Sequence, residues 1–453
     1  MTRQENFSTD RGGLDRGDPA SLPGSTGPAV PPARRREHSA ARHRFSYWAA
    51  AFAFFSLQAF MTAPSPLYGL YARRDGFSPL MITLVYAAYA VGVVASLFFA
   101  GHLSDHHGRR PFLLAALGLD AASAVVFIAW PALAGLFLAR VLCGLAVGVT
   151  ASTGGAYLTE LYLAHRPREL IHRAQLLIST VTLGGLGAGA LAVGLLAQYV
   201  AHPLTVPYLV MLAAFAVSAA GICFAAETRP RRRPLPPYRP QRASAPPGAR
   251  ASFISALLGI ALAFAVLGMF IGLAGTFLTV VLHRTSLALA GTAIFLVFAA
   301  GVALTTAIGK RTPRAVLAAS VGLIIAGLAI LVVSAWLPGP SLALFLIGGA
   351  VIGAGGSAMF KGSLTVVIGI SPPARLAESL AAFFLAGYTG ISVPVIALGI
   401  ALQHASTRDA LLGFAIVIAA GILAATPSLL SYKPPRANWP ASRPPGEARG
   451  ADQ

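Results

Sequence analysis

Three charged residues lie deep inside long apolar stretches of the sequence, at Asp120, Arg140 and Lys361. A charge near the centre of a bilayer costs about 2.5–3.5 kcal/mol on insertion scales, so such residues usually belong to substrate sites or proton relays. Asp120 is a candidate proton carrier, because an apolar environment favours the neutral form of a carboxyl group. Arg140 and Lys361 are candidates for binding an anionic group. The alternatives are structural: pairing with a neighbouring helix for Asp120, and extension towards the headgroups for the two cations.

Polar residues and prolines occur together in two further apolar stretches. Gln58 precedes Pro64 and Pro66 in the first stretch, and Tyr388 precedes Pro394 in the eleventh. Proline interrupts the backbone ladder, and a carbonyl freed inside a membrane must face protein or a water-filled cavity. We therefore predict gating or binding segments at both places, with kinked helix packing as the alternative.

The composition predicts an all-α integral membrane protein. Hydrophobic residues make up 56% of the 453 residues and charged residues only 11%, whereas soluble domains carry about 25% charged residues. About 20 apolar residues in helical form span a bilayer. Twelve stretches meet this length, at residues 46–70, 79–100, 112–130, 133–161, 174–200, 206–226, 253–282, 287–308, 315–336, 341–370, 376–403 and 410–430.

The distribution of charge predicts the topology. The formal net charge is +19, and most of the 34 Lys and Arg residues fall in the two tails and in alternate loops. This bias predicts a multi-pass protein of the plasma membrane with both termini in the cytoplasm. A nucleic-acid partner is not expected, because no binding module interrupts the apolar stretches. Cys143 and Cys223 lie inside apolar stretches, and neither a metal site nor a cofactor is predicted.

The apolar stretches fall into two sets of six. We predict six-helix bundles at residues 45–228 and 252–432, a basic Pro-rich cytoplasmic linker at 229–251, and disordered cytoplasmic tails at 1–44 and 433–453. Residues 131–156 resemble residues 340–361, which indicates an internal repeat with a period of about 209 residues. Pseudo-symmetric halves of this kind rock about a site near the middle of the membrane.

A short basic turn connects the second and third apolar stretches. Its motif is Gly-x-Leu-x-Asp-x-x-Gly-Arg-Arg, with the matching residues Gly101, Leu103, Asp105, Gly108, Arg109 and Arg110. A carboxylate at the start of a helix is stabilised by about 0.3–1 kcal/mol through the helix dipole. The two arginines are expected to reach lipid phosphates or the facing half of the protein. An ordinary capped turn is the alternative to a functional motif.

This motif resembles the loop between helices 2 and 3 of the major facilitator superfamily. The spacing of Arg140, Gly144 and Gly148 is similar to a second motif of that family, in helix 4. The resemblance covers residues 46–432 and is closest to the drug- and efflux-type twelve-helix members. The chain departs from these members in two further helices: it has no proline among the glycines of the fifth stretch and no acidic residue in the first.

The resemblance implies a role for each of these positions. The turn from Gly101 to Arg110 would be a latch that holds the inner gate closed, and Arg140 would take part in proton coupling or substrate positioning. Lys361 would line the central cavity, because family helices 1, 4, 7 and 10 do so. His106 stands where the family usually has a fixed cation, and its titration near neutral pH would make closure of the gate sensitive to pH.

We therefore expect a secondary active transporter of a small solute that works by alternating access, with proton-coupled efflux. Its expected partners are the solute, protons and the lipid bilayer, and the chain is expected to be a monomer. Uptake, or transport of an organic anion held by Arg140 and Lys361, is the alternative within the same class. A non-transporting receptor or scaffold is the alternative from another class. An enzyme is not expected, since no catalytic motif is present.

Overall fold

The computed structural model describes residues 33–100, 107–165, 171–229, 249–309, 311–372 and 375–431. Within these ranges all the regular elements are helices, twelve of them long. They are α1 Ala33–Thr62, α2 Pro79–Ala100, α3 Arg109–Ala129, α4 Leu133–His165, α5 Ile171–Tyr199, α6 Val206–Phe224, α7 Arg250–Val280, α8 Leu287–Ile308, α9 Pro313–Trp336, α10 Leu342–Ile370, α11 Leu376–His404 and α12 Thr407–Leu430. The predicted all-α, twelve-helix fold class is confirmed.

Helices α2 to α12 are long and apolar enough to cross a membrane. Helix α1 falls outside that set because polar side chains interrupt its apolar part. These side chains, among them Ser56, Gln58 and Thr62, are buried against the neighbouring helices α4, α5 and α6. The chain is therefore a multi-pass membrane protein in which α1 lies against other helices of its own bundle.

The packing of the second six helices repeats that of the first six. Helix α1 contacts α4, α5 and α6, and α7 contacts α10, α11 and α12 in the same way. The pairs α2–α4, α3–α4 and α3–α6 likewise correspond to α8–α10, α9–α10 and α9–α12. Two helix pairs form the most extensive contacts between the bundles, α5 with α8 and α2 with α11. Each half of the chain is thus a bundle, and the two bundles are related by pseudo-symmetry.

Two faces of the molecule are named by their helix ends. The terminal face carries the end of α6 at Phe224 and the start of α7 at Arg250, and the distal face carries the end of α5 at Tyr199 and the start of α8 at Leu287. Gln198 accepts a hydrogen bond from the backbone N–H of Leu287, which joins two helix ends at the distal face.

Glycines bring the paired helices close together at equivalent places in the two bundles. A Cβ atom at Gly144 of α4 would lie 1.9 Å from the carbonyl oxygen of Tyr89 in α2. A Cβ atom at Gly353 of α10 would lie 2.0 Å from the carbonyl oxygen of Val297 in α8. Such close backbone approach is how membrane helices gain packing energy without a hydrophobic driving force. The predicted internal repeat therefore has a direct counterpart in helix packing.

The first span differs from its prediction at both ends. Helix α1 begins at Ala33, inside the segment 1–44 that was expected to be disordered. The alanines and charged residues at the start of α1 have a higher helix propensity than the prediction of disorder took into account. At the other end the predicted single helix is broken. A 3₁₀ turn follows at Ser65–Leu67, with Pro64 and Pro66 at its start, and a short helix runs over Tyr68–Asp75.

Substituting Gly144 or Gly353 with Ala tests whether these contacts hold the bundles together. We expect each substitution to cost about 1–3 kcal/mol, because the new methyl group must force backbones apart. Gly118→Ala and Gly322→Ala are matched controls with nothing within 4 Å of the new Cβ, and they should leave stability unchanged or slightly raised. Thermal unfolding of the purified variants in detergent measures the difference. Equal melting temperatures for all four variants would contradict the packing argument.

Candidate functional site

Arg140 lies between α1, α2 and α4 and is fully buried. Its Nη1 atom donates a hydrogen bond of 3.1 Å to the carbonyl oxygen of Met61. That carbonyl is among the last of α1, where the helix ends before Pro64 and leaves its acceptors without intrahelical donors. The guanidinium therefore satisfies a freed carbonyl and sits at the negative end of the α1 dipole.

Two tyrosine rings of α2 cover the guanidinium of Arg140. Its central carbon lies 5.5 Å from the ring centroid of Tyr86 and 4.9 Å from that of Tyr89, within cation–π range. The second bundle also reaches these rings. Tyr388 of α11 contacts Tyr89 edge to face at 6.0 Å, and a Cβ atom at Gly272 of α7 would lie 3.1 Å from Tyr86. The Arg140 site is therefore at the boundary between the bundles.

Several polar atoms of this site have no hydrogen-bond partner among the described residues. They are Nε and Nη2 of Arg140 and the hydroxyl groups of Tyr68, Tyr86 and Tyr89. The hydroxyls of Tyr86 and Tyr89 lie near each other without a well-aligned hydrogen bond. Buried donors without acceptors are rare in native proteins and usually mark functional sites.

Asp120 of α3 is fully buried on the other side of Arg140. Neither carboxylate oxygen has an N–H or O–H donor within hydrogen-bond distance among the described residues. The thiol of Cys143 lies beside the carboxyl group, and Arg140 is within electrostatic reach. No ion pair within 4.0 Å joins Asp120 to a cation in the described part of the chain. Of the two predicted alternatives, the ion pair with a neighbouring helix is not formed among the described residues, and for the hydrogen bond Cys143 of α4 is the adjacent group.

Lys361 of α10 has a partner that the sequence did not predict, and its roles at the cavity or the headgroups stay predictions. Its ammonium group donates a hydrogen bond of 3.0 Å to the carbonyl oxygen of Thr305, in the last turn of α8. A cation there satisfies an end carbonyl and complements the helix dipole. Arg140 and Lys361 lie about 10 Å and about 28 Å, respectively, from the distal starts of their helices. The structure does not bring these two cations together.

The glycines of α5 and the polar residues of α1 serve helix packing. Gln58 is buried, and a Cβ atom at Gly185 would lie 2.8 Å from its Cβ. Thr62 donates a hydrogen bond of 2.6 Å to the carbonyl oxygen of Leu186. Gly148 of α4 packs against Ser96 of α2. Among the predicted hinge positions, Pro394 lies within α11 without ending it.

The basic turn is described only from its second half. Gly101, Leu103, Asp105 and His106 lie outside the described residues. Gly108 follows with a φ of 101°, a conformation that favours glycine.

Glu227, just after α6, caps the start of α3. Its carboxylate accepts hydrogen bonds of 2.9 Å and 3.0 Å from the backbone N–H groups of Arg109 and Arg110. A carboxylate in this position satisfies two of the four free N–H groups and complements the helix dipole. The start of α3 is therefore held by the end of α6.

The side chains of Arg109 and Arg110 contact their own bundle. This differs from the predicted contacts with lipid phosphates or with the facing half. Arg109 pairs with Glu160 of α4 at 3.3 Å, and Arg229 pairs with the same oxygen at 3.1 Å. Arg110 donates a hydrogen bond of 3.0 Å to the carbonyl oxygen of Ile222 in α6. The turn therefore ties α3, α4 and α6 together at the terminal face.

Sequence reasoning missed four residues of these sites. Glu160 and Glu227 could have been found, because acidic residues at the ends of the fourth and sixth stretches share a face with the basic turn. No comparable signal exists for Tyr86 and Tyr89. Aromatic residues three positions apart on an apolar helix have the pattern of ordinary core residues.

Contacts between the bundles close the distal face. A Cβ atom at Gly194 of α5 would lie 3.0 Å from the Cα of Gly291 in α8. At the pseudo-equivalent pair, Gly399 of α11 packs against Thr83 of α2. Both contacts are near the distal ends of their helices, so the two bundles are packed together at the distal face.

An apolar groove of about 340 Å³ lies away from this site, between α1 and α6. Its walls include the exposed rings of Trp48, Phe52 and Phe224. Exposed rings on the outside of a membrane bundle belong to the lipid-facing surface. Within the described residues, no cluster of His, Cys, Asp and Glu could hold a metal ion.

Replacing Glu227 with Ala tests the cap on α3. We expect a loss of about 1–2 kcal/mol of stability, because two N–H groups at the start of α3 lose their acceptor. Asp75→Ala is the control: this carboxylate pairs with Arg74 in an exposed position, where a substitution changes stability by about 0.5 kcal/mol or less. Thermal unfolding in detergent measures both. A Glu227→Ala variant as stable as the control would argue against the cap.

Comparison with known proteins agrees with this geometry. The family model described as Major Facilitator Superfamily matches residues 50–317. The arabinose-proton symporter of Bacillus subtilis (strain 168) is 37% identical over 83 residues, 18% of each chain. The uncharacterized MFS-type transporter YfkF of the same organism is 31% identical over 121 residues, 26% of this chain and 30% of that protein. Both matches thus span less than a third of the relative.

Solved structures share the fold at low sequence identity. The human organic anion transporter MFSD10 (TETRAN) superposes with a TM-score of 0.62 at 16% identity, over 85% of this chain and 99% of that one. The nucleoside transporter NupG superposes with a TM-score of 0.64 at 13% identity, over 84% and 99%. Since the family model covers more than half of the sequence, the chain belongs to the major facilitator superfamily.

Proposed function

We propose that the protein is a secondary active transporter that exports a small solute by alternating access and couples this movement to protons. The observation that carries the proposal is the position of the Arg140 site. It lies between the two bundles, inside the membrane-spanning part, behind a closed distal face. A charged site at the boundary of two pseudo-symmetric bundles is the arrangement from which a transporter alternates its access.

The contacts between the bundles support a rocking motion. Only α5–α8 and α2–α11 join the bundles extensively within the described residues. Their closest approaches, at Gly194 and Gly399, are near the distal ends. Opening of the distal face would separate these glycine contacts, and the same motion would bring the helix ends of the terminal face together. The motif that begins at Gly101 would latch that closure.

Proton coupling is proposed through Asp120. Its carboxylate is fully buried and lacks an N–H or O–H donor among the described residues. Arg140 is the nearby cation. Taking up a proton at Asp120 removes a negative charge beside Arg140, so the electrostatic environment of the site between the bundles changes.

The direction of transport is proposed from the charge bias and the basic turn. The clustered arginines of the terminal face, including Arg109 and Arg229, favour a cytoplasmic position for that face. In this conformation the site would then be open only towards the cytoplasm, as an exporter awaiting substrate requires. The similarity of the turn to that of efflux-type members supports the same direction, and plasma-membrane residence follows from it.

Flux into proteoliposomes tests the transporter proposal. Purified protein is reconstituted with an entrapped pH dye, and solutes of several classes (sugars, nucleosides, aromatic carboxylates and lipophilic cations) are added under an imposed proton gradient. Gly194→Val should lower flux at least tenfold, because its side chain keeps the distal face from closing. Gly413→Val, with open space around the new side chain, should transport normally. No solute movement under any gradient would refute the proposal.

Asp120→Asn tests the coupling residue. We expect the variant to lose gradient-driven transport while it still exchanges solute across the membrane, because binding and rocking do not need the proton. Asp75→Asn makes the same chemical change at an exposed carboxylate and should behave as the wild type. If Asp120→Asn retains full driven transport, Asp120 is not the proton carrier.

A further inference from the structure

The Arg140 site contains more donors than acceptors. Its guanidinium has one carbonyl partner, from Met61, and its Nε and Nη2 atoms have none among the described residues. Arginine carries five N–H donors and no acceptor, so the unused atoms can be satisfied only by an acceptor that enters the site. The unpaired hydroxyls of Tyr86 and Tyr89 adjoin the same space and can donate as well.

Two other arginines of this bundle, both near helix ends, have different hydrogen-bond partners. Arg109 pairs with the Glu160 carboxylate, and Arg110 donates to the carbonyl oxygen of Ile222. Arg140 is buried more completely than either, yet no carboxylate lies within 4.0 Å of it in the described part of the chain. Asp120 is within electrostatic reach of Arg140 but forms no ion pair with it, so Arg140 has no counter-ion once Asp120 takes up a proton. A fully buried cation in that state is costly, and an anionic ligand removes the cost.

A row of aromatic rings runs from this cation into the second bundle. Tyr89 contacts Tyr388 at 6.0 Å, and Tyr388 contacts Phe264 of α7 at 6.0 Å. Phe264 is stacked on Phe360 of α10, with centroids 5.9 Å apart and planes 21° apart. Phe264 and Phe360 are only partly buried. These rings offer flat apolar faces on which an aromatic or apolar body can stack.

A second cation is adjacent in sequence to the last ring of the row. Lys361 directly follows Phe360 and is partly exposed, and its ammonium group uses one hydrogen bond, to the carbonyl oxygen of Thr305. It lies about 18 Å nearer the terminal face than Arg140, measured along the helix axes. A ligand that approaches from the terminal face would meet a cation first, then aromatic rings, and finally the buried guanidinium.

We propose that the Arg140 site binds an amphipathic organic anion, with its carboxylate on Arg140 and its apolar or aromatic body along the tyrosine and phenylalanine rings. This assignment of the substrate class rests on the proposed transport function. A neutral sugar would also stack on rings and accept hydrogen bonds. It would leave the positive charge of Arg140 unbalanced, and for that reason the anion is favoured.

Binding to the purified full-length protein in lipid nanodiscs tests the proposal, with isothermal titration as the measurement. The probes are pairs that differ only in charge: 2-naphthoate with 2-naphthamide, and indole-3-acetate with indole-3-acetamide. Each carboxylate should bind at least tenfold more tightly than its amide. Equal affinities within both pairs would overturn the proposal, and so would tighter binding of arabinose than of either carboxylate.

Variants identify the groups that hold the anion. Arg140→Gln should remove the preference for carboxylate over amide. Tyr89→Phe keeps the ring and removes the hydroxyl, and it should weaken carboxylate binding by roughly threefold to tenfold. Tyr199→Phe makes the same change at an exposed position of the distal face and should bind normally. If Arg140→Gln fails to fold, Tyr89→Phe decides: a carboxylate affinity equal to that of Tyr199→Phe would overturn the assignment.

The binding and flux experiments can fail independently. Carboxylate binding without solute flux under any gradient would leave the anion site in place and remove the transport function. Flux of neutral solutes, with no preference for carboxylates in binding, would leave the transport function in place and remove the anion site.

Discussion

The fold depends on which protein groups form hydrogen bonds with the free carbonyl groups at helix ends, because the interior of a membrane offers no water. The last carbonyls of a helix lack intrahelical donors, and inside a membrane each one must find a donor from the protein. Here long basic side chains supply three of them: Arg140 donates to Met61, Arg110 to Cys223, and Lys361 to Thr305. In every case the donor comes from a different helix. Each bond therefore satisfies a carbonyl and also fixes one helix against another.

Close glycine contacts occur both within each bundle and between the two bundles. Within a bundle, Gly144 and Gly353 bring backbones together deep in the membrane, near the capped helix ends. Between the bundles, Gly194 and Gly291 meet without any charged bond across them. Separating packed small residues costs little free energy, whereas separating a buried charge from its partner costs much more. The contacts within each bundle therefore favour its moving as a rigid body in the proposed transport cycle, with the boundary between the bundles as the part that opens.

The sequence was sufficient for the class, the helix number and the repeat, because hydrophobic length and charge bias are properties of single segments. It was insufficient wherever a partner came from another helix. The hydrogen bond from Lys361 to the Thr305 carbonyl was not predicted, because a backbone acceptor leaves no trace in the pattern of side chains. From its charge alone, Lys361 was expected at a cavity or near the headgroups. Arg140 was recognised by its charge and by its spacing from Gly144 and Gly148, while the rings of Tyr86 and Tyr89 that cover it were indistinguishable from core residues.

The break in the first span determines where the guanidinium of Arg140 lies. Pro64 and Pro66 end α1 inside the membrane. The freed Met61 carbonyl accepts a hydrogen bond from Arg140, whose guanidinium lies over the Tyr86 and Tyr89 rings at the boundary between the bundles. An unbroken helix would have left that arginine without its anchoring acceptor and free to extend towards the headgroups. The same bond that completes α1 therefore also holds a positive charge at the boundary between the two bundles. In the proposed transport cycle, this is the boundary that opens and closes.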